Sequence, residues 1–394
     1  MKCIILAAGI GKRMFPLTQT RPKVMVPIAN RPILEHLLLS ARDAGIDEFI
    51  FVVGYKKELV ESYFKDGGAW SVKIDYIFQK EQLGTANAIG LADDLKGERF
   101  LILNGDVLVG SDCIKKLLEK EEETVLTLNR RDGKGFGVVE VEGSSVKKIT
   151  EKPEDAKTCL VNAGIYMFDR SIFEAIEKTP ISKRDEYEIT DSIQYLIDKG
   201  DDVGYHVIED WIDIGYPWNL LNANEDMLKG IKKEVNGDVE ERATIHGDVV
   251  IGDGTIVRNG AYIIGPVVIG ENCDIGPNCF IRPYTSIGDD VRIGNGVEVK
   301  NSIIMNHTKI GHLTYIGDSV IGEECNFGAG TIVANLRHDD RSILVRVEEE
   351  RIDSGRRKLG VIFGDGVKTG INSTINVGTV IKAGQMIGPG EVIS

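Results

Sequence analysis

From Ile245 to Val299 a branched aliphatic residue occupies every sixth position: Ile245, Ile251, Val257, Ile263, Ile269, Ile275, Ile281, Ile287, Ile293 and Val299. The series slips near Met305, resumes at Ile310 and Ile316, shifts to Ile321, Phe327 and Val333, and returns after a gap as Phe363, Thr369, Ile375, Ile381, Ile387 and Ile393. An amphipathic helix needs a spacing of about 3.6 and a half-buried strand a spacing of about two. A period of six fits neither. It predicts a parallel β-helix, in which each short strand points one aliphatic residue inward and a Gly- or Asn-rich turn starts the next face. Three faces make a coil of about 18 residues. Such a prism has no interior cleft, so any chemistry must sit on its walls.

The first 230 residues follow another pattern, with buried apolar runs separated by amphipathic helices. Strands are expected at 2–7, 49–53, 74–78 and 100–103, and helices along 33–41, 58–64, 85–95 and 114–120. This alternation predicts an α/β fold, a doubly wound and mostly parallel sheet covered on both faces. Ligands of such sheets bind at the carboxyl ends of the strands, which selects the loop 8–13 and the tripeptide Asn104-Gly105-Asp106. A last helix at 218–233 and a linker at 235–242 lead into the solenoid. The expected domains are therefore 1–234 and 243–394.

Composition narrows the partners. Glycine is high at 45 and aromatic residues are low at 7%, as suits tight turns over stacked isoleucines. A net charge of −14 argues against nucleic-acid or anionic-membrane partners, which need a basic face. The six cysteines, Cys3, Cys113, Cys159, Cys273, Cys279 and Cys325, contain no Cys-x-x-Cys pair and are expected as small buried residues. The apolar run that begins at Cys3 ends at Gly9, with Lys12 and Arg13 just beyond, so it reads as a first strand and not a leader. No apolar stretch approaches the roughly 18 residues of a membrane span, and the expected compartment is the cytoplasm.

The loop Leu6-Ala7-Ala8-Gly9-Ile10-Gly11-Lys12-Arg13-Met14 runs on to Arg21-Pro22-Lys23. It is not a dinucleotide fingerprint, because Met14 holds the third glycine position, and it is not a P-loop. What remains is a glycine-rich turn with backbone N–H groups for an anion, and the cations Lys12, Arg13 and Lys23 within reach of a triphosphate. Residues 6–23 resemble the signature of sugar-1-phosphate nucleotidylyltransferases. Further pieces follow in that family's order: residues 79–86, Asn104-Gly105-Asp106, Glu151-Lys152-Pro153, Asn162-Ala163-Gly164 and residues 211–215. In the solenoid, residues 311–318 and 326–331 resemble the amino-sugar acetyltransferase half of the bifunctional N-acetylglucosamine-1-phosphate uridylyltransferases.

The resemblance implies roles. Leu6, Ala7, Ala8, Gly9, Gly11, Gln79, Gly84 and Thr85 would bind a nucleoside triphosphate, UTP or dTTP, with Arg13 and Lys23 neutralising the triphosphate and the developing charge. Gly137, Glu151, Lys152 and Asn162 would bind the hexose or hexosamine 1-phosphate, and Asp106 and Asp213 would hold Mg²⁺. The sugar phosphate is already an anionic nucleophile, so no catalytic Ser, Cys or His is required; positioning and electrostatics suffice.

A lone histidine in a β-helix turn is ordinarily a solvated residue. The surrounding block makes His312 the candidate general base for acetyl transfer from acetyl-CoA. Arg282 and Lys300 stand 18 positions apart, one coil step, and make a cationic cradle for glucosamine-1-phosphate. Resemblance adds Tyr315 and Asn326 to the amino-sugar side, and Ala329, Asn335 and Arg341 to acetyl-CoA, and it implies a homotrimer. The charged stretch 334–360 is expected to project as a loop or flap. Arg341 stands where the family has a lysine, and Ile371 and Pro389 where small residues line the CoA slot. Two other readings therefore stay open: a nucleotidylyltransferase whose β-helix only oligomerises or regulates, and a non-catalytic assembly subunit.

Overall fold

The structure, a computed structural model, describes residues 1–93, 99–155 and 159–394. The chain divides into two units. The first comprises Met1–Ile10, Pro22–Met25 and Ile33–Asp213; the second comprises Gly11–Arg21, Val26–Pro32 and Ile214–Ser394.

The first unit is built on a nine-stranded sheet in the order Lys73–Phe78, Glu48–Val53, Lys2–Ala7, Phe100–Asn104, Leu160–Phe168, Thr124–Arg130, Val203–Ile208, Ser145–Thr150, Val138–Glu142. The first four strands are parallel. Leu160–Phe168 then enters antiparallel to both neighbours, so the sheet is mixed beyond that point. Alternation of side chains splits the core in two. Cys3, Ile5, Leu101 and Leu103 pack on one face with Leu34, Leu37, Leu38, Phe64, Ile114 and Leu117. Ile4, Phe100 and Ile102 pack on the other with Ala86, Ile89, Ile172, Phe173, Ile193 and Leu196. Both faces are thus covered by helices, as the continuous apolar runs require. The helix expected over 85–95 spans Thr85–Gly90, and residues 94–95 of that expectation lie outside the described residues.

The second unit carries a left-handed parallel β-helix of three eight-stranded parallel sheets. Each periodic residue stacks on its counterpart one coil away: Ile245 on Ile263, Ile251 on Ile269, Val257 on Ile275. The slip in the period has a local cause. Ile304 follows Val299, and Ile321 follows Ile316, after five residues instead of six, yet both stay in register with Ile287 and Ile304 respectively. Both shortened turns fall at one corner of the prism, where Tyr284, Asn301 and Asp318 share a left-handed backbone. Residues 335–360 leave the coil and form a hairpin, Leu344–Val347 against Glu350–Asp353, before Val361–Phe363 rejoins the stack. This excursion is anchored by buried Ile343, Val345 and Leu359 and is not a free flap.

Two boundaries differ from expectation. The helix expected over 218–233 spans Asn219–Lys229 and stops at Gly230. The stretch expected as a linker, 235–242, holds part of the first coil: Glu234–Val235 and Asp238–Val239 already pair with Val249–Ile251 and Ile256–Val257. Its polar composition hid this, because a terminal coil has a neighbour on one side only and needs little apolar surface. Cys3, Cys273, Cys279 and Cys325 are buried as expected, Cys113 is half-buried, and Cys159 is exposed.

Candidate active sites

At the carboxyl edge of the sheet in the first unit, the backbone of Gly105 passes against the end of the first strand and donates its N–H to Leu6 O at 2.9 Å. A Cβ on Gly105 would lie 2.3 Å from that oxygen, so only glycine permits the approach. Asp106 follows at once. Its carboxylate pairs with Lys23 Nζ at 2.8 Å, and Lys23 is largely buried. Lys23 therefore serves first as the counter-charge of Asp106. A two-stranded antiparallel ribbon, Val107–Val109 against Trp211–Asp213, sets Asp213 opposite Val107. Two carboxylates more than a hundred residues apart in sequence are thereby brought to one place. Among the described residues no group of three or more His, Cys, Asp or Glu could hold a metal. Two carboxylates suit a hard divalent ion that completes its octahedron with phosphate oxygens and water. Arg131 stacks on the Trp211 ring at 4.1 Å; burial lowers its pKa, against the opposing charge of Asp213.

Gln79 is buried at the end of Lys73–Phe78, and its Nε2 donates to Asn87 Oδ1 at 2.8 Å and to Gly84 O at 3.4 Å. The amide is thus held in one orientation, leaving Oε1 as its acceptor. Gly84 lies at φ 109°, where a Cβ would strike the Tyr187 backbone, and Thr85 Oγ1 accepts the Ile189 N–H at 3.1 Å. The sugar-phosphate candidates also converge. Asn162 N–H donates to Gly137 O at 2.8 Å, Lys152 N–H donates to Phe136 O at 3.1 Å, and a Cβ on Gly137 would meet both Glu151 and Asn162. Glu151 Oε1 is shared by Lys152 at 3.2 Å and Arg184 at 3.1 Å. Burial, and then the charge of Glu151, raise the pKa of Glu188 beside them.

Gly11 and Arg13 belong to the second unit. Gly11, at φ 70°, opens the helical turn Lys12–Met14, and Thr18 Oγ1 donates to its carbonyl at 2.9 Å. The exposed Arg13 lies 5.2 Å from the Tyr216 ring centre. The segment ends in Arg21, which pairs with Glu323 at 2.7 Å and Asp365 at 2.5 Å.

On the β-helix, Arg282 and Lys300 stand on one wall one coil apart, as their spacing implied. Lys300 pairs with Asp318 at 3.4 Å and Arg282 with Glu298 at 2.9 Å. Asp318 is the organiser. Its carboxylate is almost fully buried and accepts Asn301 Nδ2 at 2.9 Å and Asn335 Nδ2 at 2.6 Å, while Asn335 Nδ2 also donates to Tyr315 Oη at 3.1 Å. Burial, followed by the charge of Asp318, raises the pKa of Tyr315. Arg282, Lys300, Asn301 and Asp318 line, with Tyr284 and others, a cavity of about 510 Å³, within the range of small-molecule sites.

Other predicted residues stand apart from this cavity. Exposed His312 ends the strand Lys309–His312 on the neighbouring wall, and Leu313 at φ 48° turns the corner to Tyr315. The strand Tyr315–Gly317 separates it from the Asp318 corner by roughly 10 Å at the usual rise per residue. Asn326 lies on the His312 wall beside Lys309 and Lys368. Asn335, expected to contact acetyl-CoA, donates its side-chain amide to Tyr315 Oη and to Asp318. Arg341 is exposed in the turn after Asp339. Ala329 O accepts the Asn372 N–H, and Ile371 O accepts the Gly390 N–H, so Ala329 and the exposed Ile371 share one corner. Asp318 does not stand out as a site residue in the sequence; the two turns shortened to five residues are the signal that marks its corner.

Residues 2–230 match the family described as Nucleotidyl transferase, and residues 263–387 match the GMPPB C-terminal domain. The chain is 43% identical to the Bifunctional protein GlmU of Methanocaldococcus jannaschii over 98% of its own length and 93% of the relative's. It is 40% identical to a bifunctional sugar-1-phosphate nucleotidylyltransferase/acetyltransferase of Sulfurisphaera tokodaii, over 100% and 97% of the two chains. A solved glucose-1-phosphate thymidylyltransferase from Bacillus anthracis, described there as putative, is 27% identical, with a TM-score of 0.54 over 59% of this chain and 97% of that one. The chain belongs to the nucleotidyl transferase family, and the relatives it matches along nearly its whole length are bifunctional.

Proposed function

We propose that the protein carries out two successive steps of UDP-N-acetylglucosamine synthesis. The β-helix N-acetylates glucosamine-1-phosphate from acetyl-CoA, and the α/β domain transfers uridylyl from UTP to the product with release of pyrophosphate. The observation that carries the reading is one chain holding both the convergent pair Asp106 and Asp213 and the cavity around Arg282, Lys300, Asn301 and Asp318.

In nucleotidyl transfer an oxygen of the sugar phosphate attacks the α-phosphorus, the bond to the bridging oxygen breaks, and pyrophosphate leaves in line. Lys152, beside Gly137 and Asn162, holds the incoming phosphate. Gln79 Oε1 accepts the imide N–H of uracil, an interaction that thymine offers equally. Arg13 is assigned to the triphosphate. Asp106 and Asp213 would hold Mg²⁺, which supplies charge neutralisation to the phosphates when bound; their all-oxygen donor set fits it.

In acetyl transfer the amine attacks the thioester carbonyl, the carbon–sulfur bond breaks, CoA leaves as its thiol, and His312 takes the amine's proton. Arg282 and Lys300 hold the phosphate, and Asn326, Ala329 and Arg341 are assigned to the remaining contacts with sugar and CoA. His312 and Asn326 lie on one wall and Arg282, Lys300 and Tyr315 on the next. A neighbouring copy facing that wall would complete the site, which supports a homotrimer. Exposed apolar side chains at Leu313, Ile332, Ile371, Met386 and Val392 are available for such packing. No helix among the described residues is long and apolar enough to cross a membrane, and we place the enzyme in the cytoplasm.

The test is to incubate the protein with glucosamine-1-phosphate, acetyl-CoA, UTP and Mg²⁺, withholding each in turn. CoA release must require the amino sugar, and pyrophosphate release must require Mg²⁺. Wild-type protein that releases no CoA with either glucosamine- or galactosamine-1-phosphate would reduce the β-helix to an oligomerisation module.

A further inference from the structure

Arg131 takes no step in either transfer, yet its side chain sits among groups that do. It follows directly on the strand Thr124–Arg130, at the carboxyl edge of the sheet, and its N–H donates to Cys159 O at 2.9 Å. Its guanidinium lies within cation–π reach of two rings, 4.1 Å from the centre of Trp211 and 5.5 Å from that of Phe136. Those rings meet edge to face with their centres 5.7 Å apart. Arg131 Nε donates to Asn129 Oδ1 at 3.0 Å, and Nη2 donates to the Trp211 carbonyl at 3.3 Å. Asn129 is itself buried and donates Nδ2 to Ile208 O at 2.7 Å, which fixes the acceptor that Arg131 uses.

Each ring belongs to a different part of the site. Trp211 begins the ribbon strand Trp211–Asp213, whose pairing with Val107–Val109 sets Asp213 opposite Val107, next to Asp106. Phe136 O accepts the Lys152 N–H at 3.1 Å, and the adjoining Gly137 O accepts the Asn162 N–H at 2.8 Å. Lys152 needs such a hold: its φ is 40°, in the left-handed region that a residue with a side chain keeps only where its surroundings impose it. One guanidinium thus joins the ribbon that carries Asp213 to the turn that fixes the backbone of Lys152. A lysine could not replace it, because only a planar fork offers a face to rings while its edge N–H groups reach two acceptors.

We propose that Arg131 is a positioning residue of nucleotidyl transfer, clasping the ribbon 211–213 to the turn 136–137 so that Asp213 and Lys152 keep one spacing. In-line attack depends on that spacing, since misplacing the reacting groups by about 1 Å costs about a hundredfold in rate. The roles of Asp213 in holding the metal and of Lys152 in holding the incoming phosphate rest on the proposed function; the clasp rests on the contacts of Arg131 itself.

The experiment uses full-length Arg131→Lys, which keeps the charge and loses the planar fork. Mn²⁺ binding is titrated without substrates by the spin resonance of the free ion, and the KM for N-acetylglucosamine-1-phosphate is measured at saturating UTP. Mn²⁺ affinity should fall about tenfold, the lower end of the usual loss when a metal site loses an outer partner, and the KM should rise about tenfold. Arg131→Met should also weaken Mn²⁺, although removing a nearby cation would by charge alone tighten a divalent ion. The thermal midpoint of each variant reports folding. If Arg131→Lys melts early, Phe136→Leu, which leaves Arg131 on Trp211, should raise the KM and keep the Mn²⁺ affinity. A folded Arg131→Lys with either readout at the wild-type value, tighter Mn²⁺ in Arg131→Met, or an unchanged KM in Phe136→Leu overturns the clasp. Mn²⁺ binding lost in Asp213→Ala but kept in Arg131→Lys sinks the clasp alone. Binding that survives Asp213→Ala sinks the metal reading and the clasp with it.

Discussion

Arg21 ends the segment that carries Arg13, and its replacement by Met should loosen that segment from the β-helix. The Arg21 side chain is 11% exposed and donates to Glu323 at 2.7 Å and Asp365 at 2.5 Å, whose side chains are 31% and 14% exposed. Burial pulls the guanidinium pKa down, but its hydrogen bond to Glu323 and the charges of both carboxylates outweigh it, so the group stays charged. Asp365 also accepts the Thr20 hydroxyl at 2.5 Å and the Glu323 N–H at 2.8 Å, and Gln19 Oε1 accepts the Ala383 N–H at 3.1 Å. Methionine keeps much of the stem and removes the cation, leaving two carboxylates facing each other. Breaking a buried pair from one side costs about 3–5 kcal/mol; the partial exposure of Glu323 argues for the low end, about 3 kcal/mol. At 1.4 kcal/mol per decade that is about a hundredfold in the docking equilibrium. Hydrogen exchange read by mass spectrometry should show the amides of 12–20 exchanging up to about a hundredfold faster. The KM for UTP should rise, because Arg13 would no longer be held in place. The double variant Arg21→Met/Asp365→Asn should recover part of the loss by removing the repulsion. Wild-type exchange across 12–20 together with an unchanged UTP KM in Arg21→Met would refute the reasoning.

Asp106→Ala and Asp213→Ala should each abolish Mg²⁺-dependent pyrophosphate release and spare CoA release; substantial residual transfer in both would sink the two-carboxylate assignment. His312→Ala should lower CoA release with glucosamine-1-phosphate at least about 10²-fold, with uridylylation of supplied N-acetylglucosamine-1-phosphate unaffected; equal loss of both activities would point to misfolding instead of a lost base. Light scattering should give a trimer, and a stable monomer with full acetyltransferase activity would exclude the shared-wall site. A thiol reagent at pH 8 should modify Cys159 quickly in the native protein. Burial raises the thiols of Cys273, Cys279 and Cys325 to about 11, 12 and 12, so raising the pH to 9 should still leave them unreactive until the chain unfolds; rapid native labelling at any of the three would contradict the packed interior.

By itself the sequence determined the β-helix, because one inward aliphatic residue per face is a local requirement that repeats and can be counted. The same regularity made Arg282 and Lys300 legible as neighbours: a coil step converts sequence separation directly into a stacking distance. The α/β order was legible for a similar reason, since strands such as Phe100–Asn104, buried on both faces, must read as unbroken apolar runs. Asp106 and Asp213 were legible as a pair through family resemblance, while the ribbon that joins them depends on strand pairing between distant segments. Tertiary structure alone decided that 335–360 folds back so that Arg356, Arg357 and Lys358 line the same cavity as Lys300, that Glu225 and Asn222 brace Arg356, and that Arg21 reaches Glu323 and Asp365. It also decided that His312 and Tyr315, three positions apart, face different walls. Each of these depends on where a chain returns after a turn or an excursion, and no periodicity encodes that, because the closing contacts are set by the shape of the surface it lands on.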